Sequence, residues 1–265
     1  MLFSLHQSHA RGVEEMDGEK LEIIYHRFND ENYIQFDPIR YVHQFENQAE
    51  QELVGLIASS LAFGRVTQIF KAIECIMEIV GGEPLAYISA LGDAPEKELL
   101  TFRYRFVSGR DIHRLFKVAG CIISTHGSLG AFMRKNYRPG HFLSLVDTVI
   151  KVFEGVHYLV PCSLKGSACK RLFLYFRWMV RRDAVDLGLW DFINPSELVM
   201  PLDTHIFRVA RDAGFTSRRS PSLATALDIT KSLRRYSPDD PVKYDWGLAH
   251  LGIIANNFAL TPAHS

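Results

Sequence analysis

Residues 164–172 read Leu-Lys-Gly-Ser-Ala-Cys-Lys-Arg-Leu, and this stretch decides the fold because a loop of small residues leads into an amphipathic helix. From Ala168 onward, apolar residues recur at helical spacing, at Leu172, Phe173, Phe176 and Val180. Backbone amides at a helix N-terminus point outward and favour an anion such as phosphate. The stretch therefore predicts either a phosphate-binding loop or an ordinary connection between two helices.

Two charged residues stand at predicted helix starts, Lys170 after this loop and Asp203 in the segment Leu-Asp-Thr-His-Ile-Phe-Arg-Val at 202–209. The positive end of a helix dipole disfavours a second positive charge, which favours the neutral, nucleophilic form of Lys170. An aspartate at an N-cap position stays ionised, as a charge-stabilising or water-activating group must. A surface lysine and a purely structural cap are the alternatives.

The rest of the chain also shows helical periodicity, and no long alternating run predicts a sheet. The predicted helices are Glu46–Phe63 ended by Gly64, one capped by Thr67 and ended by Gly81 and Gly82, one capped by Asp111, Phe142–Phe153, Pro221–Tyr236, and about Pro241–Phe258 with Pro241 in its first turn. We expect an all-α fold, with a mobile arm at residues 1–19 and a single domain over 20–265.

The charge distribution, the lengths of the apolar runs and the cysteine spacing limit the kinds of function that the chain could have. The chain has 265 residues and no net charge, yet residues 161–265 hold 14 Lys and Arg against 10 Asp and Glu, so the C-terminal half is basic. That excess permits contact with an anionic partner, although a solvated charged face explains it equally well. No apolar run is long enough for a membrane span, no signal peptide is evident, and the four cysteines lack metal-binding spacing. A cytoplasmic monomer without a metal or other cofactor is expected.

The segments at 164–170 and 202–209 together resemble the helix-hairpin-helix DNA glycosylase superfamily, in particular its endonuclease III and archaeal oxoguanine glycosylase branches. The first segment is similar to the hairpin Leu-Pro-Gly-Val-Gly with a lysine two positions on, and the second to Val-Asp-Thr-His. The chain as a whole also resembles a bacterial family of conserved proteins without an assigned function, through residues 36–39, 61–65, 102–106, 166–190 and 244–247.

This resemblance implies a two-lobed helical fold, with lobes at about 45–155 and 156–265. It also implies base-excision repair of double-stranded DNA containing a damaged or mismatched base. Lys170 falls on the Schiff-base lysine, which also permits AP-lyase activity, and Asp203 falls on the catalytic aspartate. The implied phosphate-binding residues are Lys165, Gly166, Ser167 and Ala168, and the candidate contacts to DNA or to the base are Phe63, Arg65, Trp178 and Arg208. The cysteine cluster that holds an iron–sulfur centre in endonuclease III is absent.

Three other hypotheses remain open. The first is a non-catalytic helix-hairpin-helix nucleic-acid-binding protein. It is favoured because Lys165 and Ala168 stand where the superfamily hairpin has proline and its second glycine, and because the usual glutamine-bearing probing loop is not evident. A histidine-based metal hydrolase has only the eleven histidines in its favour. A helical bundle that binds other proteins is the general alternative. Six aromatic residues are candidates to stack on an extruded base: Tyr33, Phe63, Tyr104, Phe106, Trp178 and Trp246.

Overall fold

The computed structural model describes residues 16–156, 158–161 and 167–259, with side chains described through residue 252. The α-helices are α1 (Gly18–Phe28), α2 (Gln48–Leu61), α3 (Val66–Ile79), α4 (Pro84–Ala90), α5 (Lys97–Thr101), α6 (Gly109–His126), α7 (Leu129–Asn136), α8 (Phe142–Val152), α9 (Lys170–Val180), α10 (Thr204–Asp212), α11 (Leu223–Leu233) and α12 (Asp245–Ala259). Short 3₁₀ helices cover Glu31–Phe36, Pro38–Gln44 and Pro195–Glu197. The prediction of a mostly helical protein is confirmed.

One antiparallel pair of two-residue strands interrupts the helices, β1 (Arg103–Tyr104) with β2 (Val107–Ser108). Arg103 lies opposite Ser108, and Tyr104 lies opposite Val107. The expectation of no sheet is therefore wrong at this hairpin. Strands of two residues are too short to show the alternation of apolar and polar side chains by which a strand is recognised in a sequence.

Three predicted helix starts also differ from the structure. Ser108 rather than Asp111 is the N-cap of α6, and Asp111 completes a capping box from the third helical position. Thr67 lies inside α3, whose N-cap is Arg65 without a side-chain cap. Pro241 precedes α12, which begins at Asp245. The predicted arm at 1–19 overlaps the start of α1 at Gly18, and residues 1–15 lie outside the described residues.

Helices α2 and α9 form the centre of the molecule. Every residue from Glu52 to Leu61 is buried, as is every residue from Leu172 to Val180. They approach closely at Gly55, where a Cβ atom would lie 2.8 Å from Met179 Cε and 3.2 Å from Tyr175 Cε2, so a larger side chain would displace the end of the Met179 side chain. Tyr175 donates a hydrogen bond to the carbonyl of Glu52 at the start of α2 (2.9 Å). The two helices therefore run in opposite directions, and the C-terminal end of α2 meets the N-terminal end of α9.

The N-terminal helix packs with the C-terminal part of the chain. Helix α1 contacts α12, and α12 contacts α10. Glu22 in α1 binds Lys243 (2.8 Å) and accepts a hydrogen bond from Tyr244, both just before α12. The start of α10 lies beside the N-terminal end of α9, as the contact between Asp203 and Lys170 shows.

No described helix is by itself both long and apolar enough to cross a membrane. Helices α6 and α7 meet both criteria only when they are joined across a 71° bend.

Candidate active site

Lys170 and Asp203 meet at one cleft although they are 33 residues apart in the chain. Lys170 is the first residue of α9, and Asp203 is the N-cap of α10. The Nζ atom of Lys170 lies 3.7 Å from Oδ2 of Asp203, and the side chains are 31% and 25% exposed. The pair is thus accessible to a substrate yet partly shielded from water.

The two carboxylate oxygens of Asp203 have different partners. Oδ1 accepts hydrogen bonds from the backbone amides of His205 and Ile206, both at 2.9 Å, and so caps α10. Oδ2 faces Lys170. The structural role predicted for an N-cap and the role of a charged group beside the lysine are therefore carried by separate atoms.

The Lys170 amine also contacts the end of α2, where it donates to the carbonyl of Ala62 at 3.3 Å. Ala62 follows the last residue of α2, so its carbonyl is among those at the helix C-terminus that have no intrahelical partner. Two oxygens, from Ala62 and Asp203, therefore orient the amine toward the cleft.

The approach to the lysine is formed by an unusual helix start. Cys169, the N-cap of α9, has a left-handed backbone (φ 50°) and no side-chain cap. The backbone amide of Cys169 donates a hydrogen bond to the hydroxyl oxygen of Ser167 (3.1 Å), and the buried Cys169 thiol lies 3.5 Å from the carbonyl of Pro161. For a residue with a Cβ this backbone costs about 1–2 kcal/mol, and such strain concentrates at functional sites.

The cleft beside this pair has a volume of about 380 Å³. Besides Lys170 and Asp203 its walls include Ser167, Ala168, Arg171, Phe63 and Phe106. Apolar rings and the two charged side chains thus line one space, which is large enough for a small organic group.

Arg171 supplies a second positive charge on the cleft wall. It donates to the carbonyls of Ser60 (3.0 Å) and Tyr158, and its guanidinium carbon lies 4.7 Å from the centre of the Phe63 ring. Burial lowers the pKa of Arg171 to about 10, which leaves the side chain charged at neutral pH. The sequence named Phe63 as a candidate contact and Arg171 as a basic residue near the site, and the structure brings the two side chains together.

A buried ion network lies behind the cleft. Arg177 in α9 pairs with Asp186 (3.1 Å) and with Asp245, the first residue of α12. Burial opposes the charge on Arg177, but the two carboxylates outweigh it and raise the pKa of Arg177. Burial raises the pKa of Asp245 to about 6, an effect that Arg177 reduces and the charge of Asp203 increases.

The remaining predicted site residues are dispersed. Trp178 is fully buried in the core, so the structure does not bring its ring to the cleft. Arg208 donates to the carbonyl of Gly252 (2.8 Å), which ties α10 to α12. Arg65 is exposed at the N-cap of α3. Lys165 and Gly166 lie outside the described residues, and Ser167 and Ala168 lie on the cleft wall as described above.

Residues 37–254 match the family described as DUF2400, protein of unknown function. The chain belongs to the DUF2400 family. The match covers most of the chain, including every cleft residue named above, so the site of this DUF2400 protein lies inside the family region. Neither the curated proteins nor the solved structures provide a significant match to it.

Sequence reasoning missed several residues of this site. The Ala62 carbonyl could not be recognised, because a backbone acceptor leaves no mark on residue identity. Asp245 was also missed, although the segment Tyr-Asp-Trp-Gly at 244–247 was among those that carry the family resemblance. Phe106, by contrast, was named from the sequence as a candidate to stack on a base, and its exposed ring lies on the cleft wall.

Proposed function

We propose that this DUF2400 protein is a DNA glycosylase with a helix-hairpin-helix glycosylase fold, which removes a damaged or mismatched base from duplex DNA. The observation that carries the proposal is the Lys170–Asp203 pair, with 3.7 Å between Nζ and Oδ2 at the wall of an open cleft. An amine beside a carboxylate at a partly shielded site is the arrangement that covalent catalysis with a general base requires.

The base must leave the stack before the lysine can reach the sugar, because C1′ of a nucleotide inside a duplex is not accessible. The Lys170 amine then attacks C1′, the bond from C1′ to the base breaks, and the base departs with the bonding electrons and takes up a proton. Asp203 accepts the proton that the amine loses, and its charge stabilises the positive sugar as the bond breaks. Opening of the sugar ring leaves a Schiff base, which permits strand cleavage by elimination of the 3′ phosphate.

The phosphate backbone next to the extruded nucleotide is expected to bind at the start of α9. Amides at a helix N-terminus bind anions, and the expected contacts are Lys165, Gly166, Ser167 and Ala168. Arg171 adds a fixed positive charge on the same wall. These contacts position DNA without reading its sequence.

Borohydride trapping tests the proposal, because the reagent reduces a Schiff base to a permanent amine link. The protein is incubated with borohydride and duplexes that contain an abasic site or one of a panel of damaged or mismatched bases. We expect a covalent complex with wild type and with Lys151→Gln, an exposed lysine of α8 that serves as the control. Lys170→Gln should give no complex and should still bind the duplex.

The other outcomes are equally informative. Duplex binding by wild type without trapping on any member of the panel would refute the enzyme and favour the non-catalytic DNA-binding protein. Trapping that survives Lys170→Gln would transfer the nucleophile to Lys165, the lysine of the predicted hairpin. Absence of duplex binding at about 50 mM salt, where phosphate contacts are strong, would refute both DNA-binding hypotheses.

A further inference from the structure

The β1–β2 hairpin presents a two-residue turn at the cleft. Its register pairs Tyr104 with Val107, which leaves Arg105 and Phe106 as the turn. Arg105 has a left-handed backbone (φ 51°), the conformation that the twist of a two-residue hairpin favours at this position. Consequently the Phe106 side chain lies at the tip of a defined turn.

The base of the hairpin is fixed to the turn between α2 and α3. The buried Tyr104 hydroxyl donates to the carbonyl of Phe63, and the two rings lie 5.0 Å apart. Gly64 has a φ of +100°, and a Cβ atom there would lie 2.7 Å from Arg105 Nη1 and 3.1 Å from Tyr104 Oη. The hairpin therefore rests directly on backbone, which holds its tip in place relative to Lys170.

The tip carries the most exposed large apolar side chain among those in the described part of the chain. Phe106 is 74% exposed, against 60% for Ile23 in α1. It also lines the cleft that contains Lys170 and Asp203, whereas Ile23 does not. The ring contributes little to the folded core, so its position calls for a partner outside the chain.

We propose that Phe106 is a wedge that enters the base stack of duplex DNA beside the extruded nucleotide; this inference rests on the function proposed above. A base that leaves the stack opens a gap between its neighbours, and proteins that deform DNA fill such gaps with apolar side chains, phenylalanine among them. A base stacked on an aromatic ring gains about 5- to 150-fold in its equilibrium constant. The wedge and the lysine then act from opposite sides of the cleft on neighbouring positions of one strand.

The wedge explains why the usual probing loop is not needed. The turn between α2 and α3 supports the hairpin through Phe63 and Gly64. Arg103 and Arg105 are both exposed residues of this hairpin, so the hairpin that carries the ring also carries positive charge. The Arg105 guanidinium carbon lies 5.9 Å from the centre of the Phe63 ring. In this proposal the α2–α3 turn supports the hairpin, and the hairpin inserts Phe106 into the base stack.

Two measurements on one duplex test the wedge. The duplex contains a tetrahydrofuran abasic analogue and the fluorescent base 2-aminopurine in the adjacent pair, so loss of stacking changes the fluorescence. We expect wild type and Phe106→Trp to change the signal at saturation and Phe106→Ala to leave it near that of free DNA. Phe106→Ala should bind at least about 10-fold more weakly at fixed salt, within the stacking range above.

The slope of log affinity against log salt separates the wedge from a charge contact. It reports the number of phosphates neutralised, so Phe106→Ala should keep the slope of wild type. Ile23→Ala, the control for loss of an exposed apolar side chain, should match wild type in every measurement. The wedge proposal would be overturned if Phe106→Ala had a different salt slope from wild type. It would also be overturned if Phe106→Ala had the affinity of wild type and produced the same fluorescence change.

Trapping on a preformed abasic site distinguishes a failed wedge from a failed enzyme. That substrate has no base to extrude, so Phe106→Ala at saturating concentration should be trapped by borohydride at a rate near that of wild type. Trapping of both proteins with identical fluorescence would refute the wedge and leave the glycosylase standing. If wild type is not trapped but changes the fluorescence, and Phe106→Ala does not change it, the glycosylase is refuted and the wedge remains as a DNA-binding feature. Absence of duplex binding by wild type would refute both.

Discussion

Replacing Asp203 by asparagine should separate the roles of its two side-chain oxygens, the helix cap at Oδ1 and the negative charge beside Lys170 at Oδ2. Asparagine caps a helix about as well as aspartate, and its carbonyl oxygen can take the place of Oδ1 on the amides of His205 and Ile206. The substitution removes the charge that faces Lys170, a partly exposed pair whose contribution to stability is about 0–1 kcal/mol. We therefore expect a free energy of unfolding within about 1 kcal/mol of wild type.

The effect on chemistry should be much larger. A positioned acid or base contributes about 10²- to 10⁴-fold to a rate, equivalent to about 3–5 kcal/mol in the barrier. Asp203→Asn should consequently release the base at least about 100-fold more slowly under single-turnover conditions, on the duplex that wild type processes. Urea unfolding of the same samples gives the stability for comparison.

A second aspartate N-cap supplies the matched control. Asp17 caps α1 through a hydrogen bond from the amide of Lys20 (2.9 Å) and does not line the cleft. Asp17→Ala should lower the free energy of unfolding by about 1 kcal/mol and leave the rate unchanged. The reasoning fails if Asp203→Asn retains the rate of wild type, or if its rate falls only in proportion to a stability loss like that of Asp17→Ala.

Two further predictions concern the buried ion network. Arg177→Ala leaves the buried carboxyl of Asp245 without its cation, whereas Asp186 still pairs with Arg181. Chemical denaturation should therefore show a loss of about 3–5 kcal/mol, against about 1 kcal/mol or less for Arg134→Ala in the exposed pair with Asp191. Because burial raises the pKa of Asp245 to about 6, above its value of 3.8 in the unfolded chain, the native state binds the extra proton and this carboxyl lowers stability as the pH rises from about 4 through 6. The pH dependence of unfolding between 4 and 7 should flatten in Asp245→Asn, and an unchanged profile would contradict the assignment.

Sequence patterning predicted the elements that carry the site, because their signals are local. The stripe of Leu172, Phe173 and Phe176 predicted α9 to within a few residues of its observed start, and Asp203 was recognised as the cap of α10. The errors at Thr67 and Asp111 have different causes. At the start of α6 both Ser108 and Asp111 have capping side chains, and the sequence does not decide which of them is the N-cap. At the start of α3 the N-cap is Arg65, which has no side-chain cap and so leaves no capping signal in the sequence.

The geometry of the cleft depends on contacts between distant segments, which patterning does not contain. The resemblance indicated that Lys170 and Asp203 act together, but the Ala62 carbonyl and the division of labour between Oδ1 and Oδ2 follow only from the packing of α2, α9 and α10. Trp178 shows that patterning can also suggest a site residue that the structure does not bring to the cleft. An aromatic ring at helical spacing reads the same in sequence whether it faces a cleft or the core, and here it is fully buried.

The buried network links the two halves of the active pair. Arg177 lies seven residues after Lys170 in α9, and its partner Asp245 begins α12, the helix against which α10 packs. A shift of α9 relative to α12 would separate Arg177 from Asp245 and would at the same time move Lys170 away from the cap of α10. We therefore expect this ion pair to help hold the two helices in the arrangement in which the Lys170 amine faces Oδ2 of Asp203. In the proposed enzyme a misplacement of about 1 Å would cost about 100-fold in rate, so the pair would matter for catalysis even where apolar residues would stabilise the fold as well.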